Sequence, residues 1–167
     1  RALFLLARTV LDLAPVAAFA AAAYVAVSVI QLRPQAHLVA LSVINAYLIS
    51  SGLLVLARMI LVPAAPSLRL LAIGGETANY LYIWFRRLTS VGVYGYFLIE
   101  TALLLGLPAG GHAGLSRILA LLLTAISVVF IFQNRVPVAG WISGEARGGS
   151  LRERLADIWH VLAALYV

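Results

Sequence analysis

The run LAPVAAFAAAAYVAVSVIQL, positions 13–32, decides the fold class: twenty consecutive residues without Asp, Glu, Lys or Arg. The hydrocarbon core of a bilayer is about 30 Å thick, and about 20 apolar residues in a helix cross it with every backbone polar group satisfied inside the segment. The pattern recurs along the chain. Positions 36–57 form an uncharged run of 22, 88–107 hold 20 residues with a single acid, Glu100, and 118–134 hold 17 uncharged residues between Arg117 and Arg135. After Asp157 the chain turns apolar again over 158–167, which is half a span.

The expected architecture is therefore an all-α integral membrane protein with two transmembrane helical hairpins and the start of a fifth span. The first hairpin covers 1–62, a cytoplasmic or interfacial connector 63–87, the second hairpin 88–135, a cytoplasmic loop 136–150, and the beginning of a fifth membrane helix 151–167. The half-span and the non-Met first residue, Arg1, lead to the expectation that the chain is part of a longer protein.

Composition agrees with this class. Of the 167 residues 63% are hydrophobic and 11% charged, whereas soluble domains are about 25% charged, too few here to coat a water-soluble surface. The net charge of +6 comes from twelve Arg, scattered between apolar runs instead of forming one basic stripe, so nucleic acid is not an expected partner. No Cys is present, which excludes disulfides and thiolate chemistry.

The Arg positions set an orientation. With alternating spans, Arg1, Arg8, Arg58, Arg69, Arg86, Arg87, Arg135, Arg147, Arg152 and Arg154 share the side of the N-terminus, and only Arg33 and Arg117 lie opposite. The positive-inside rule then places the N-terminus in the cytoplasm. The connector carries Pro63, Pro66, Gly74 and Gly75, followed by the aromatic and basic stretch of Tyr80, Tyr82, Trp84, Arg86 and Arg87. Positions 76–87 read as a helix entering the third span from the interface, where aromatic rings and Arg anchor to lipid headgroups. Ser150 and Glu153 have capping-box spacing, so a helix is expected to start there.

Glu100 is the one acid inside a span, and its charge would be costly in lipid unless paired. Counted from the outer face at 1.5 Å per residue, Glu100, Asn45, Tyr24 and Thr124 all lie about 11 Å deep. They are expected to form an intramembrane polar layer, with Glu100 bonded to Asn45 or Tyr24. Either a structural clamp or an ion, proton or gating site fits that layer. His37, His112 and His160 lie at different depths and lack metal-ligand spacing, so no metal site, cofactor or catalytic residue is expected, and the chain reads as a non-enzyme. Small residues repeat every fourth position at Ala14, Ala18, Ala22 and Ala26 and again at Ser42, Ala46 and Ser50, the spacing that lets membrane helices approach closely, so the first hairpin is expected to be tight. Gly92 and Gly95 leave gaps for a neighbouring helix or an acyl chain.

The stretch Tyr80-Leu-Tyr-Ile-Trp-Phe-Arg-Arg-Leu88, the segment Tyr94-Gly-Tyr-Phe97 through Glu100 to Leu107-Pro108, and Trp159-His160 to Val167 together resemble the N-terminal membrane region of large mechanosensitive channels of the MscS-like family, closest to the YbiO type. The resemblance covers most of the chain after about Leu38. It implies a tension-sensing paddle in the bacterial inner membrane, an osmotic release valve, and a homo-oligomer, typically a heptamer, with membrane lipids as partners. The family's Gly- and Ala-dense pore helix and its soluble β domains have no counterpart in these residues, so no pore residue is assigned. A proton-coupled permease using Glu100, or a structural subunit of a membrane complex, are the other readings.

Overall fold

The structure, a computed structural model, describes residues 2–61, 75–143 and 151–167. Every element among them is a helix: α1 (Ala2–Val29), α2 (Pro34–Leu61), α3 (Gly75–Leu104), α4 (Ala109–Gln133), α5 (Arg135–Ser143) and α6 (Leu151–Tyr166). Three stretches are long and apolar enough to cross a membrane: Ala7–Val29, Pro34–Leu61 and Ala109–Gln133. The third apolar run behaves differently. It is continuous with the expected interfacial helix, and α3 runs unbroken through both, so Glu76, Arg86, Arg87 and Glu100 all sit on one helix and dilute its apolar character.

The chain divides into two compact units, Arg1–Leu119 and Ala120–Val167. Within the first, α1 and α2 are joined by a short turn in which Ile30 N–H closes on Ala26 O, and Pro34 opens α2 at a position where its missing N–H is not needed. Phe19 and Tyr47 meet edge to face at 4.5 Å across these two helices. The most extensive packing, however, is between α2 and α3. Ile44, Ala46, Ser50, Val55 and Ala57 of α2 are buried, as are Ala78, Trp84, Thr89 and Ile99 of α3.

This corrects the expectation for the small residues. Ala46 and Ser50 are buried and Ser42 half-buried, but Ala14, Ala18, Ala22 and Ala26 are all exposed. Alanine is so frequent in the first run that a fourfold spacing can be drawn on more than one face, so the repeat alone does not select the packed one.

The α3–α4 connection is confined to 105–108, shorter than the interval between the apolar runs 88–107 and 118–134. Leu107 N–H bonds Ala102 O and Gly106 N–H bonds Leu103 O, with Gly106 at φ +104°, a Schellman closure that ends α3 in one step. Pro108 O accepts from His112 N–H as α4 begins, so Gly110, Gly111 and Gly114 are helical and not loop.

In the second unit the expected loop 136–150 is helical over its first half, as α5. Pro137 falls in the first turn of α5, where a proline costs no hydrogen bond. Asn134 links the two helices: its N–H caps α4 on Phe130 O, and its own carbonyl accepts from Val138 N–H. α6 starts at Leu151, where the capping-box spacing places it, although Ser150 itself lies outside the described residues, as do positions 62–74 of the connector. α6 packs on α5, and Trp159 Nε1–H donates to Arg135 O at 3.0 Å. Phe132 and His160 stack edge to face at 5.6 Å, beside buried Ile131 and Ala156.

Candidate functional site

The polar side chains within the apolar helices pair, but not as the common layer predicted. Tyr24 Oη–H donates to Asn45 Oδ1, joining α1 to α2. Glu100 bonds neither of them. Its Oε1 lies 3.1 Å from Nε2 of His112, both side chains being about one-third exposed, so this carboxylate is satisfied from α4. The correction follows from the hairpin: a connection confined to 105–108 brings the first turn of α4 back beside the last turns of α3. Thr124 belongs to the second unit, where its hydroxyl reaches Val167 O at 3.5 Å. Among the described residues no group of three or more His, Asp or Glu side chains is placed to hold a metal ion.

Close to the Glu100–His112 pair, α3 and α4 also meet at Gly95. A Cβ placed there would lie 2.6 Å from Leu119 Cδ1, so the glycine is what lets this leucine close onto α3. Thr101 bonds back to Phe97 O at 2.7 Å, hiding its hydroxyl within its own helix.

The aromatic and basic stretch occupies the N-terminal half of α3. Trp84 is only 7% exposed and so faces protein, contrary to a role for its ring at the lipid surface. Tyr80 stacks against it at 6.3 Å, and the Arg87 guanidinium lies 5.3 Å from its ring centre. Tyr82 turns towards α2, where its hydroxyl accepts from Arg58 at 3.0 Å while the same guanidinium sits 5.6 Å from its ring. Arg86 and Arg87 are exposed, and neither has a carboxylate within ion-pair distance among the described residues. The two arginines border an open groove of about 560 Å³ that also takes in Asn79, Tyr82, Ile83 and Ser90.

Two apolar grooves lie between α2 and α3. One of about 570 Å³ runs along Ile49, Leu53, Phe85, Gly92 and Tyr96. The other, about 380 Å³, is lined by Val39, Val43, Tyr94, Phe97 and Leu98. Outside these contacts the helices present apolar side chains outward, among them Leu56, Ile118, Leu121 and Leu162. In water this would be a large unfavourable surface, and in a bilayer it is the ordinary one.

Comparison with known proteins places the chain in no group: no family model, no curated protein and no solved structure matches it.

Proposed function

We propose that this chain is the membrane-tension-sensing transmembrane region of a mechanosensitive ion channel, embedded in a bacterial inner membrane as a non-catalytic, multi-pass body with its N-terminus in the cytoplasm. The observation that supports it is the pairing of outward apolar surface with inward polar satisfaction: exposed Val43, Leu98 and Leu121 contrast with Tyr24 bonded to Asn45 and Glu100 to His112. Such a body makes its external contacts with lipid. Tension favours whichever state occupies more membrane area, and helices that tilt or lose lipid from grooves such as those between α2 and α3 convert area into conformational bias. Arg86, Arg87, Tyr80 and Tyr82 would hold α3 at the inner headgroup level, with Trp84 packed behind them. Four spans, with α3 crossing between α2 and α4, and assembly as a homo-oligomer belong to the same proposal.

One observation favours a second reading. A carboxylate and an imidazole in contact across neighbouring helices are the chemistry of a proton relay, so a proton-coupled permease would use Glu100 and His112 together. Patch recording separates the two. Membranes expressing the protein from its gene should pass a current that rises with suction and survives Glu100→Gln. Absence of tension-gated current, together with solute uptake abolished by Glu100→Gln, would establish the permease instead.

A further inference from the structure

The groove beside Arg86 and Arg87 and the apolar groove further along α3 lie on one face of that helix. Asn79, Ile83, Arg86 and Ser90 line the first, and Tyr94, Phe97 and Thr101 line the second. In sequence these seven positions follow one another at intervals of three or four, which is a single helical stripe. With Tyr82 and Arg87 beside it, its polar end offers an amide, two hydroxyls and two guanidinium groups that have no acid partner among the described residues, and no carboxylate lines it. Its far end is bounded by Val39 and Val43 of α2 and is almost wholly apolar.

The dimensions suit one molecule. Arg86 and Phe97 are separated by eleven residues of continuous helix, about 16 Å at 1.5 Å per residue. One leaflet of a core about 30 Å thick is about 15 Å deep. A lipid whose phosphate rests between Arg86 and Arg87 therefore has an acyl chain of the right length to reach the Val43–Phe97 groove.

We propose that this stripe is a binding site for a single anionic phospholipid, its phosphate held by Arg86 and Arg87 with Asn79 and Ser90 at hand, and one acyl chain lying along α3 into the groove at Val39, Val43, Phe97 and Leu98. The inference rests on the reading of the chain as membrane-embedded, and it does not depend on tension sensing. Arginine suits the role because its planar fork meets phosphate oxygens in pairs, and its charge is worth most against an anionic headgroup at the membrane surface.

Native mass spectrometry of the intact chain in mild detergent tests it, with palmitoyl-oleoyl phosphatidylglycerol and phosphatidylcholine as the probes. Two arginines near the surface are expected to favour phosphatidylglycerol by about thirtyfold. Arg86→Gln combined with Arg87→Gln should erase that preference, and Arg117→Gln, on α4, should preserve it. If the double variant loses its helical circular dichroism, Asn79→Glu, which sets a carboxylate in the groove, must lower the same ratio. Inorganic phosphate or dihexanoyl phosphatidylglycerol displacing the long-chain lipid at equal concentration would overturn the acyl-chain half of the site. An unchanged ratio in the variants would overturn the whole of it. Retention in the bilayer fraction after alkaline carbonate extraction keeps the two levels apart: a chain that is released refutes the membrane reading, and one that is retained without a phosphatidylglycerol preference refutes this inference alone.

Discussion

Glu100 of α3 and His112 of α4 meet at 3.1 Å, and their pairing ties the two helices together across the turn at 105–108. Interhelical hydrogen bonds between membrane helices average about 0.6 kcal/mol and reach about 1.7, and a carboxylate acceptor belongs at the upper end of that range. Glu100→Ala and His112→Ala are each expected to cost about 1 kcal/mol in detergent-driven unfolding. The double variant should cost little more than either single one. Strictly additive losses would mean that the pair contributes nothing as a pair.

Gly106 and Gly110 stand four residues apart and should respond to alanine with opposite signs. Gly106 closes α3 at φ +104°, and a Cβ added there would meet nothing within 4 Å, so the cost of alanine is purely that of the backbone. Alanine in left-handed geometry costs about 1–2 kcal/mol. Gly110 lies in the first turn of α4, also with open space around it, and there alanine should gain up to about 0.5 kcal/mol. Thermal midpoints in detergent that fall for Gly106→Ala and rise for Gly110→Ala are the expected pattern; a rise in both would contradict the Schellman closure.

The same two glycines mark the limit of what the sequence makes legible. Apolar runs locate the helices, because in lipid the backbone permits little else, and the helical start at 151 follows from local capping spacing. The partner of Glu100 does not follow. Depth counted along separate helices places many residues in one layer but leaves the rotation of each helix free, and rotation decides who bonds whom. Starting the fourth span at 118 also lengthens the connection and carries His112 away from Glu100. A sequence signal does exist: Gly106-Leu107-Pro108 is a helix stop followed at once by a helix start, which folds residues about four positions on either side towards each other. The exposure of Ala14, Ala18, Ala22 and Ala26 has a different cause: the half-buried face of α1, with Val16, Ala20, Ala23 and Val27, mixes Ala with Val and carries no fourfold small-residue repeat.

Gly95 gives a steric test of the α3–α4 contact. A Cβ there would approach Leu119 Cδ1 to 2.6 Å, but that atom is the end of a flexible side chain that can turn aside. Gly95→Ala should therefore be mild, and Gly95→Val, with two more methyl groups to place, should cost about 1–3 kcal/mol as overpacking does. Leu119→Ala in the Gly95→Val background is expected to recover most of the loss. Failure of that rescue would show that the strain lies against some atom other than Leu119.

The orientation of α3 can be read directly, because the chain contains no cysteine and each introduced thiol is therefore the only one. Composition selects α1, α2 and α4 as able to cross a membrane and leaves α3 out, while the proposed topology, in which ten of the twelve arginines share one side, has α3 crossing as well. Thr77→Cys near the start of α3 and Ala109→Cys at the start of α4 are both exposed positions that bracket the helix. If α3 spans, a membrane-impermeant maleimide added to intact cells labels Ala109→Cys and leaves Thr77→Cys unlabelled until the membrane is opened. Gln35→Cys, beside Arg33 at the start of α2, should label with Ala109→Cys. Equal labelling of Thr77→Cys and Ala109→Cys from one side would place α3 along the interface instead, and would leave Arg86 and Arg87 on a helix that lies flat in the headgroups with Glu100 beside them.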